Sequence, residues 1–421
     1  MSEPLSSEPY KGVRDFYPED WSKLSQVFAV MRKTLESFAF EEYNASPLER
    51  AELYEQKTSE EIVNEQTYTF EDRGDRKVTL RPEMTPTFAR MLAAKRREIP
   101  FPVRWYSIPN VFRYERPQRG RLREHYQLNV DLAGIADMKA DAELIVIAHA
   151  LLKALGAKDS DFRIRISSRS LLSAACAATG FDTEEAVRIY SRLLDKKSKM
   201  PLHEFEASLG AGRSDPLKAI ESGADPKVAA EKEKLTTFVA ALKERGITNV
   251  VMDPEIVRGF DYYTGMVFEI YDTNAENTRS IFGGGRYDGL VSLFGGDAIP
   301  CVGFAVGDVT LMDFLETHGL TPKSKPAADI FIGTPSESDI AHASIFGEAL
   351  RVQGLNVLVN KSGKGLGDQI KEASRRGIPY FIAYGEQEAS SGMVRVKKLE
   401  SGEEKEVSKD EVAERLLAVL K

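Results

Sequence analysis

Thiols are scarce in this chain: its 421 residues include two cysteines, Cys176 and Cys301. They lie far apart and without metal-ligand spacing, which argues against a disulfide scaffold or a zinc finger and favours a reducing compartment. Long apolar runs are missing too, since none approaches the ~20 residues needed to cross a bilayer. The opening Met1-Ser2-Glu3-Pro4 lacks the basic start and apolar stretch of a signal peptide. These absences predict a cytoplasmic protein with no membrane partner. Histidine is also sparse. His125, His149, His203, His318 and His342 have no partners at ligand spacing, so no protein-held metal is expected. His149, within an apolar helix, reads as a satisfied core residue.

What is present is the composition of a globular protein, 42% apolar and 29% charged, with length enough for two or three domains. The net charge of −8 does not suggest a nucleic-acid partner, but a binding site is a patch rather than a total. From Lys95 to Arg123 the chain carries Lys95, Arg96, Arg97, Arg104, Arg113, Arg116, Arg119, Arg121 and Arg123 against Glu98 and Glu115. Trp105, Tyr106, Phe112 and Tyr114 are interleaved with them. Guanidinium forks grip phosphate in bidentate fashion, so this stretch predicts a polyphosphate or nucleic-acid site.

Periodicity organises the rest. A helix starts near Pro18 with apolar Leu24, Val27, Phe28, Met31, Leu35 and Phe38 at helical spacing. Strands are expected at Val78 to Arg81, Val103 to Tyr106, Val111 to Glu115, Glu124 to Leu132, Phe162 to Ile166, Val250 to Met252, Met266 to Tyr271 and near Cys301 to Ala305. The glycines at 283–285 read as a turn. The segment 168–245 looks wholly helical and reads as an insertion. Thr321 to Pro326 is a linker by composition. Beyond it, short apolar strands at Asp329 to Gly333, Asn356 to Asn360 and Tyr380 to Tyr384 alternate with helices, a βαβαβ order that implies a small, mostly parallel sheet. A strand at Met393 to Leu399 and a final helix from Ser408 follow. Gly363-Lys364-Gly365-Leu366-Gly367 mimics a dinucleotide fingerprint, but Asp368 occupies the sixth position, where glycine is required.

In Val111-Phe112-Arg113-Tyr114-Glu115-Arg116, an arginine and a carboxylate two apart on a strand share one face. Arg113 could hold a phosphate while Glu115 accepts from an amine, with a basic loop to close over a triphosphate. This Phe-Arg-x-Glu, loop and arginine-bearing return strand (Arg121, Arg123, His125, Tyr126, Gln127) resembles motif 2 of class II aminoacyl-tRNA synthetases, which binds ATP with its Mg2+. Thr79-Leu80-Arg81-Pro82-Glu83-Met84-Thr85 resembles the segment that holds the amino acid's ammonium. Val257-Arg258-Gly259-Phe260-Asp261-Tyr262-Tyr263-Thr264-Gly265 and Phe282-Gly283-Gly284-Gly285-Arg286-Tyr287-Asp288-Gly289-Leu290 resemble the two signatures of the histidyl-tRNA synthetase family. Lys11 to Pro18 is similar to that family's opening segment, and Pro47 to the motif 1 proline of its dimer interface. Leu366 to Lys371 and Ile378 to Gly385 look like the anticodon-binding domain.

The resemblance implies an α+β catalytic core, an antiparallel sheet with helices, over 1–322, with the helical insertion at about 168–245. A C-terminal α/β anticodon-binding domain follows over 327–421. It implies ligation of L-histidine to tRNA(His) through a histidyl-adenylate by a homodimer. Arg258 and Arg113 would be catalytic, and Arg113, Glu115, Arg121, Arg123 and His125 would bind ATP. Glu83, Thr85, Gln127, Asp131, Tyr262, Tyr263 and Tyr287 would bind histidine, with Asp131 a shorter carboxylate than the glutamate many members carry.

One segment departs from the pattern. Motif 3 usually reads Gly-x-Glu-Arg, and in Gly307-Asp308-Val309-Thr310 the arginine that clamps adenine and the γ-phosphate is replaced by Thr310. Either another arginine, Arg121 or Arg123, takes part of that work, or ATP binding is weak. An archaeal-type branch of the family carries a similar Gly-Asp sequence. Thr310 alone favours a rival, a synthetase-like regulatory subunit of ATP phosphoribosyltransferase that binds histidine without catalysis. A class II enzyme for proline, threonine or glycine would leave the Arg258 and Tyr263 signature unexplained.

Overall fold

The computed structural model describes residues 5–55, 66–197, 200–210, 212–257 and 262–420. Cα packing divides the chain into two compact units, Met1–Tyr17 with Leu24–Pro322 and Pro18–Lys23 with Lys323–Lys421. No helix among the described residues is long and apolar enough to cross a membrane.

The first unit is built on strands β1 (Glu41–Glu42), β2 (Leu48–Arg50), β3 (Tyr68–Glu71), β4 (Lys77–Leu80), β5 (Val103–Ser107), β6 (Asn110–Phe112), β7 (Glu124–Ala133), β8 (Phe162–Ser168), β9 (Val250–Met252), β10 (Met266–Asp272), β11 (Ser280–Arg286) and β12 (Cys301–Gly307). Among the described residues a nine-stranded sheet runs β1-β5-β7-β12-β11-β10-β8-β9, with β6 paired to β7 off that path. Its interior pairings are antiparallel, and its edges, β1 on β5 and β9 on β8, are parallel. A small antiparallel sheet, β2-β4-β3, stands apart.

Three expectations are corrected. The glycine run is a central strand, β11, rather than a turn. A Cβ on Gly284 would lie 2.0 Å from the Gly303 carbonyl oxygen, and one on Gly285 2.5 Å from that of Met266. Close approach of neighbouring strands, rather than a bend, is what requires glycine here. The expected strand through Glu115 ends at Phe112, so Arg113 and Glu115 lie in the connection and not on a strand face. Strands β2 and β3 were not expected: β2 is three residues long, and β3, although Tyr68 and Phe70 alternate with Thr69 and Glu71, is largely exposed.

The segment after β8 is helical among its described residues, from Arg169–Ala178 to Pro226–Glu244. It is the crossover that returns the chain to β9, parallel to β8. Its Leu172, Tyr190, Phe205 and Leu242 share one apolar cluster with sheet residues Ile164, Phe268 and Phe304. His149 is indeed paired: its Nε2 lies 3.1 Å from Asp159 Oδ1.

The second unit holds β13 (Ile330–Gly333), β14 (Val357–Val359), β15 (Tyr380–Ala383), β16 (Met393–Lys398) and β17 (Glu404–Ser408) in the order β14-β13-β15-β16-β17. The first three are parallel, as the alternating strands and helices predicted. Both faces are covered, the mark of a parallel sheet. Ile330, Ile332 and Ile382 pack with Phe346 and Leu350, while Phe331 and Phe381 pack with Ala373 and Ile378.

Candidate active site

Strand β7 divides core from site by its period of two. Leu128, Val130 and Leu132 enter the main apolar cluster. The residues between them, Gln127, Asn129 and Asp131, are also buried, yet polar. Opposite them in register stand Gly307, Ala305 and Gly303 of β12, which in turn pair through β11 with Gly283 and Gly285. Small residues on that one face leave room above the sheet. A Cβ on Gly303 would lie 2.4 Å from Asp131 Oδ1.

The resulting cavity is lined by Glu83, Thr85, Arg113, Gln127, Asn129, Asp131, Tyr262, Tyr263 and Tyr287 above Gly303, Phe304 and Ala305. Seven of these are the residues expected to bind histidine, and the fold brings all seven together. Gln127 Oε1, Asn129 Oδ1 and Asp131 Oδ2 are buried there without a hydrogen-bond partner among the described residues. Each such orphan costs about 1–3 kcal/mol unless a donor meets it. The cavity is therefore built for a ligand rich in N–H groups, with Arg113 set to receive an anion. Tyr262 donates its hydroxyl to Glu83 Oε2 at 2.9 Å, and the Tyr287 hydroxyl donates to Asp131 Oδ1. Burial lifts the Asp131 carboxyl to about 7, against the Tyr287 hydrogen bond and with help from the neighbouring Glu83 charge. Tyr262 and Tyr263 rings lie 4.9 Å apart and close one side. Asn129 was missed, although the alternation from Gln127 to Asp131 carries it.

A second cavity begins at Arg113, Gln127 and Ala305, which line both. It is walled by Glu115, Gly120, Arg121, Leu122, His125, Arg279 and Thr310. Arg113 is fixed by donating from Nε to the Pro82 carbonyl at 2.9 Å, beside Glu83. Arg121 Nη1 pairs with Glu115 Oε2 at 3.1 Å. Burial holds the His125 ring down to about 3, reinforced by the Arg113 and Arg14 charges, so it is neutral and suited to stack on a base.

Arg123 does not line this cavity. Its Nε donates to the Glu115 carbonyl and its Nη1 to the Tyr10 hydroxyl, and its guanidinium lies 4.1 Å from the Tyr114 ring centroid. It ties the opening segment to the loop, as does the Arg123 amide donating to the Gly12 carbonyl at 2.7 Å. Gly12 has φ +89, and a Cβ there would strike Pro117 and Arg123 within 2.9 Å. Asp308 anchors that same segment through Arg14 at 2.7 Å and accepts from the Tyr126 amide. Arg286 of the glycine signature is structural: it is held by Asp141, Asp288 and the carbonyls of Ile135 and Asp137. Arg258 lies outside the described residues.

An antiparallel sheet, with one face polar and glycine-floored under an arginine-bearing hairpin loop, is the architecture of class II aminoacyl-tRNA synthetases. The family model for histidyl-tRNA synthetase matches residues 12–310, and that for the anticodon binding domain matches 332–418. A histidine--tRNA ligase of Leptospira biflexa is 39% identical over 411 residues, covering 94% of each chain. One of Thermoplasma volcanium is 37% identical over 419 residues, 96% of this chain and 97% of that one. The crystal structure of histidyl-tRNA synthetase from Nostoc sp. PCC 7120 has the same fold, with a TM-score of 0.82 at 23% identity, covering 99% of this chain and all of that one. The chain belongs to the histidyl-tRNA synthetase family.

Proposed function

We propose that this chain ligates L-histidine to tRNA(His), using ATP, through a histidyl-adenylate. The observation that carries this reading is the seam at Arg113. One guanidinium faces both an acceptor-lined cavity and an arginine-walled cavity, where an amino acid's carboxylate and a nucleotide's α-phosphate would meet. Histidine would set its ammonium toward Glu83, Thr85 and Gln127, and its ring toward Asp131 and the tyrosines. ATP, carrying its Mg2+, would lie against Arg113, Glu115, Arg121 and His125.

A carboxylate oxygen of histidine attacks the α-phosphorus, the bond to the β-phosphate bridging oxygen breaks, and pyrophosphate leaves. Arg113 stabilises charge developing at phosphorus, and Arg258 shares that role by its family position; positioning and electrostatics supply most of such catalysis. A terminal ribose hydroxyl of tRNA then attacks the acyl carbonyl, and AMP departs with the electrons of the mixed anhydride. Residues 1–322 serve as the catalytic domain, with about 168–245 as its helical insertion, and residues 327–421 read the anticodon. A cytoplasmic homodimer completes the reading. Leu48 and Phe70, 49% and 48% exposed on the small sheet after the motif 1 proline, offer apolar surface for a second copy.

Pyrophosphate exchange tests the reading. Label should enter ATP with histidine and not with proline, threonine or glycine. Histidine binding without exchange would instead mark a regulatory protein.

A further inference from the structure

Thr310 cannot do the work of the arginine that motif 3 usually supplies. Its hydroxyl donates to the Ile281 carbonyl at 2.8 Å, which turns the side chain onto the start of β11. Two residues before Ile281 stands Arg279, which the sequence reading did not single out. It lines the nucleotide cavity together with Thr310. The motif 2 loop crosses it at Gly120, where φ is +75 and a Cβ would lie 2.9 Å from Arg279 Cδ and 3.5 Å from Thr310 Cγ2. The stem of Arg279 and the methyl of Thr310 thus flank the same point of the loop. Its guanidinium makes no hydrogen bond or ion pair with any other described residue, whereas neighbouring Arg121 is paired to Glu115. Burial, with the Arg121 charge beside it, lowers the Arg279 pKa. Arg113, Arg121 and Arg279 converge on a cavity that Glu115 only partly neutralises, and such an excess calls for a polyanion.

We propose that Arg279 takes over one of the two tasks of the missing motif 3 arginine, the grip on the distal phosphates of ATP, and leaves adenine to other residues. This rests on the reading that the chain activates an amino acid with ATP. A planar guanidinium from the residue just before β11 replaces one from the helix after β12, with a small residue at 310 and a long one at 279 on the wall of the same cavity.

The test compares Arg279→Ala, Arg279→Lys and the double variant Arg279→Ala/Thr310→Arg in histidine-dependent pyrophosphate exchange, with ATP affinity measured separately by calorimetry. Arg279→Ala should raise the KM for ATP and for pyrophosphate by about 10- to 100-fold, the scale of a lost charge-assisted pair. The KM for histidine and inhibition by AMP, which lacks the distal phosphates, should change little. Lysine should restore part of the loss, and arginine at 310 most of it. An unchanged ATP affinity in Arg279→Ala would overturn the proposal, as would equal weakening of ATP and AMP. If the unaltered chain exchanges no label but binds ATP, the catalytic reading falls, and calorimetry on the same variants still decides the role of Arg279.

Discussion

The two cavities that meet at Arg113 are made of opposite materials. The side proposed for the amino acid is strand: Gln127, Asn129 and Asp131 stand on one face of β7, nine-tenths or more buried, each with an acceptor oxygen that meets no donor among the described residues. The side proposed for the nucleotide is loop and strand end: Arg121 is about half exposed, and Arg279 precedes β11. A small cation-bearing ligand is discriminated by fixed acceptors, because a wrong guest leaves them unpaired in a dry site. A polyanion is gripped by long guanidiniums, which adapt at little loss of strength. Rigidity serves selection on one side, and charge serves grip on the other.

Arg113→Ala, which touches both cavities, gives the largest expected effect. Adenylate formation should fall by roughly 10²–10³, the scale of removing one transition-state donor, with the melting temperature preserved. A loss confined to the KM of a single substrate would show that the seam is not shared. Gly303→Ala breaks the amino-acid side alone. Its Cβ would meet Asp131 Oδ1 and the Val130 carbonyl, an overpacking costing about 1–3 kcal/mol. Calorimetric melting should show the loss, and the KM for histidine should rise far more than that for ATP.

Asp131→Asn sharpens the contrast through pH. The folded carboxyl titrates at about 7, above the ~3.9 of an unfolded aspartate. Between those values the folded chain keeps a proton that the unfolded chain has released. Stability contributed by this group is therefore complete below about pH 4 and declines until about pH 7. The ligand-free asparagine variant should gain on the native chain in melting temperature from about pH 5 to about pH 8. Parallel curves would place the titration elsewhere. Histidine binding should move in the opposite sense. A ring N–H needs the ionised carboxylate, so native affinity rises through about pH 7 and the variant loses that increment.

The smallest effect belongs to Arg123→Ala. It removes a cation–π contact with Tyr114 worth about 0.5–1 kcal/mol and should shift the KM for ATP less than Arg279→Ala does. A larger shift would return Arg123 to the nucleotide side.

The side proposed for the amino acid was legible through the resemblance, because Glu83, Gln127 and Asp131 match positions of the family's motifs, and the fold places them around one cavity. The second unit was legible for a different reason, since alternating apolar strands and helices permit few sheet orders. The nucleotide side was read less well. Arg123 stands in the motif beside Arg121 and shares its residue type, yet its guanidinium is taken up by the Glu115 carbonyl, the Tyr10 hydroxyl and the Tyr114 ring. Arg279 sits in a segment without periodicity, and only the pairing of β11 with β12 carries it to Thr310.

The sequence by itself determined the family and the two-unit order, and through the family's motifs it singled out seven side chains that the fold gathers around one cavity, because local patterning and motifs are written in adjacent residues. The tertiary structure decided what the glycine run does, which arginines face the nucleotide and what stands in for Thr310. Those outcomes depend on sheet register and close approach between strands far apart in the chain, and a single Cβ at Gly284 or Gly303 would forbid them.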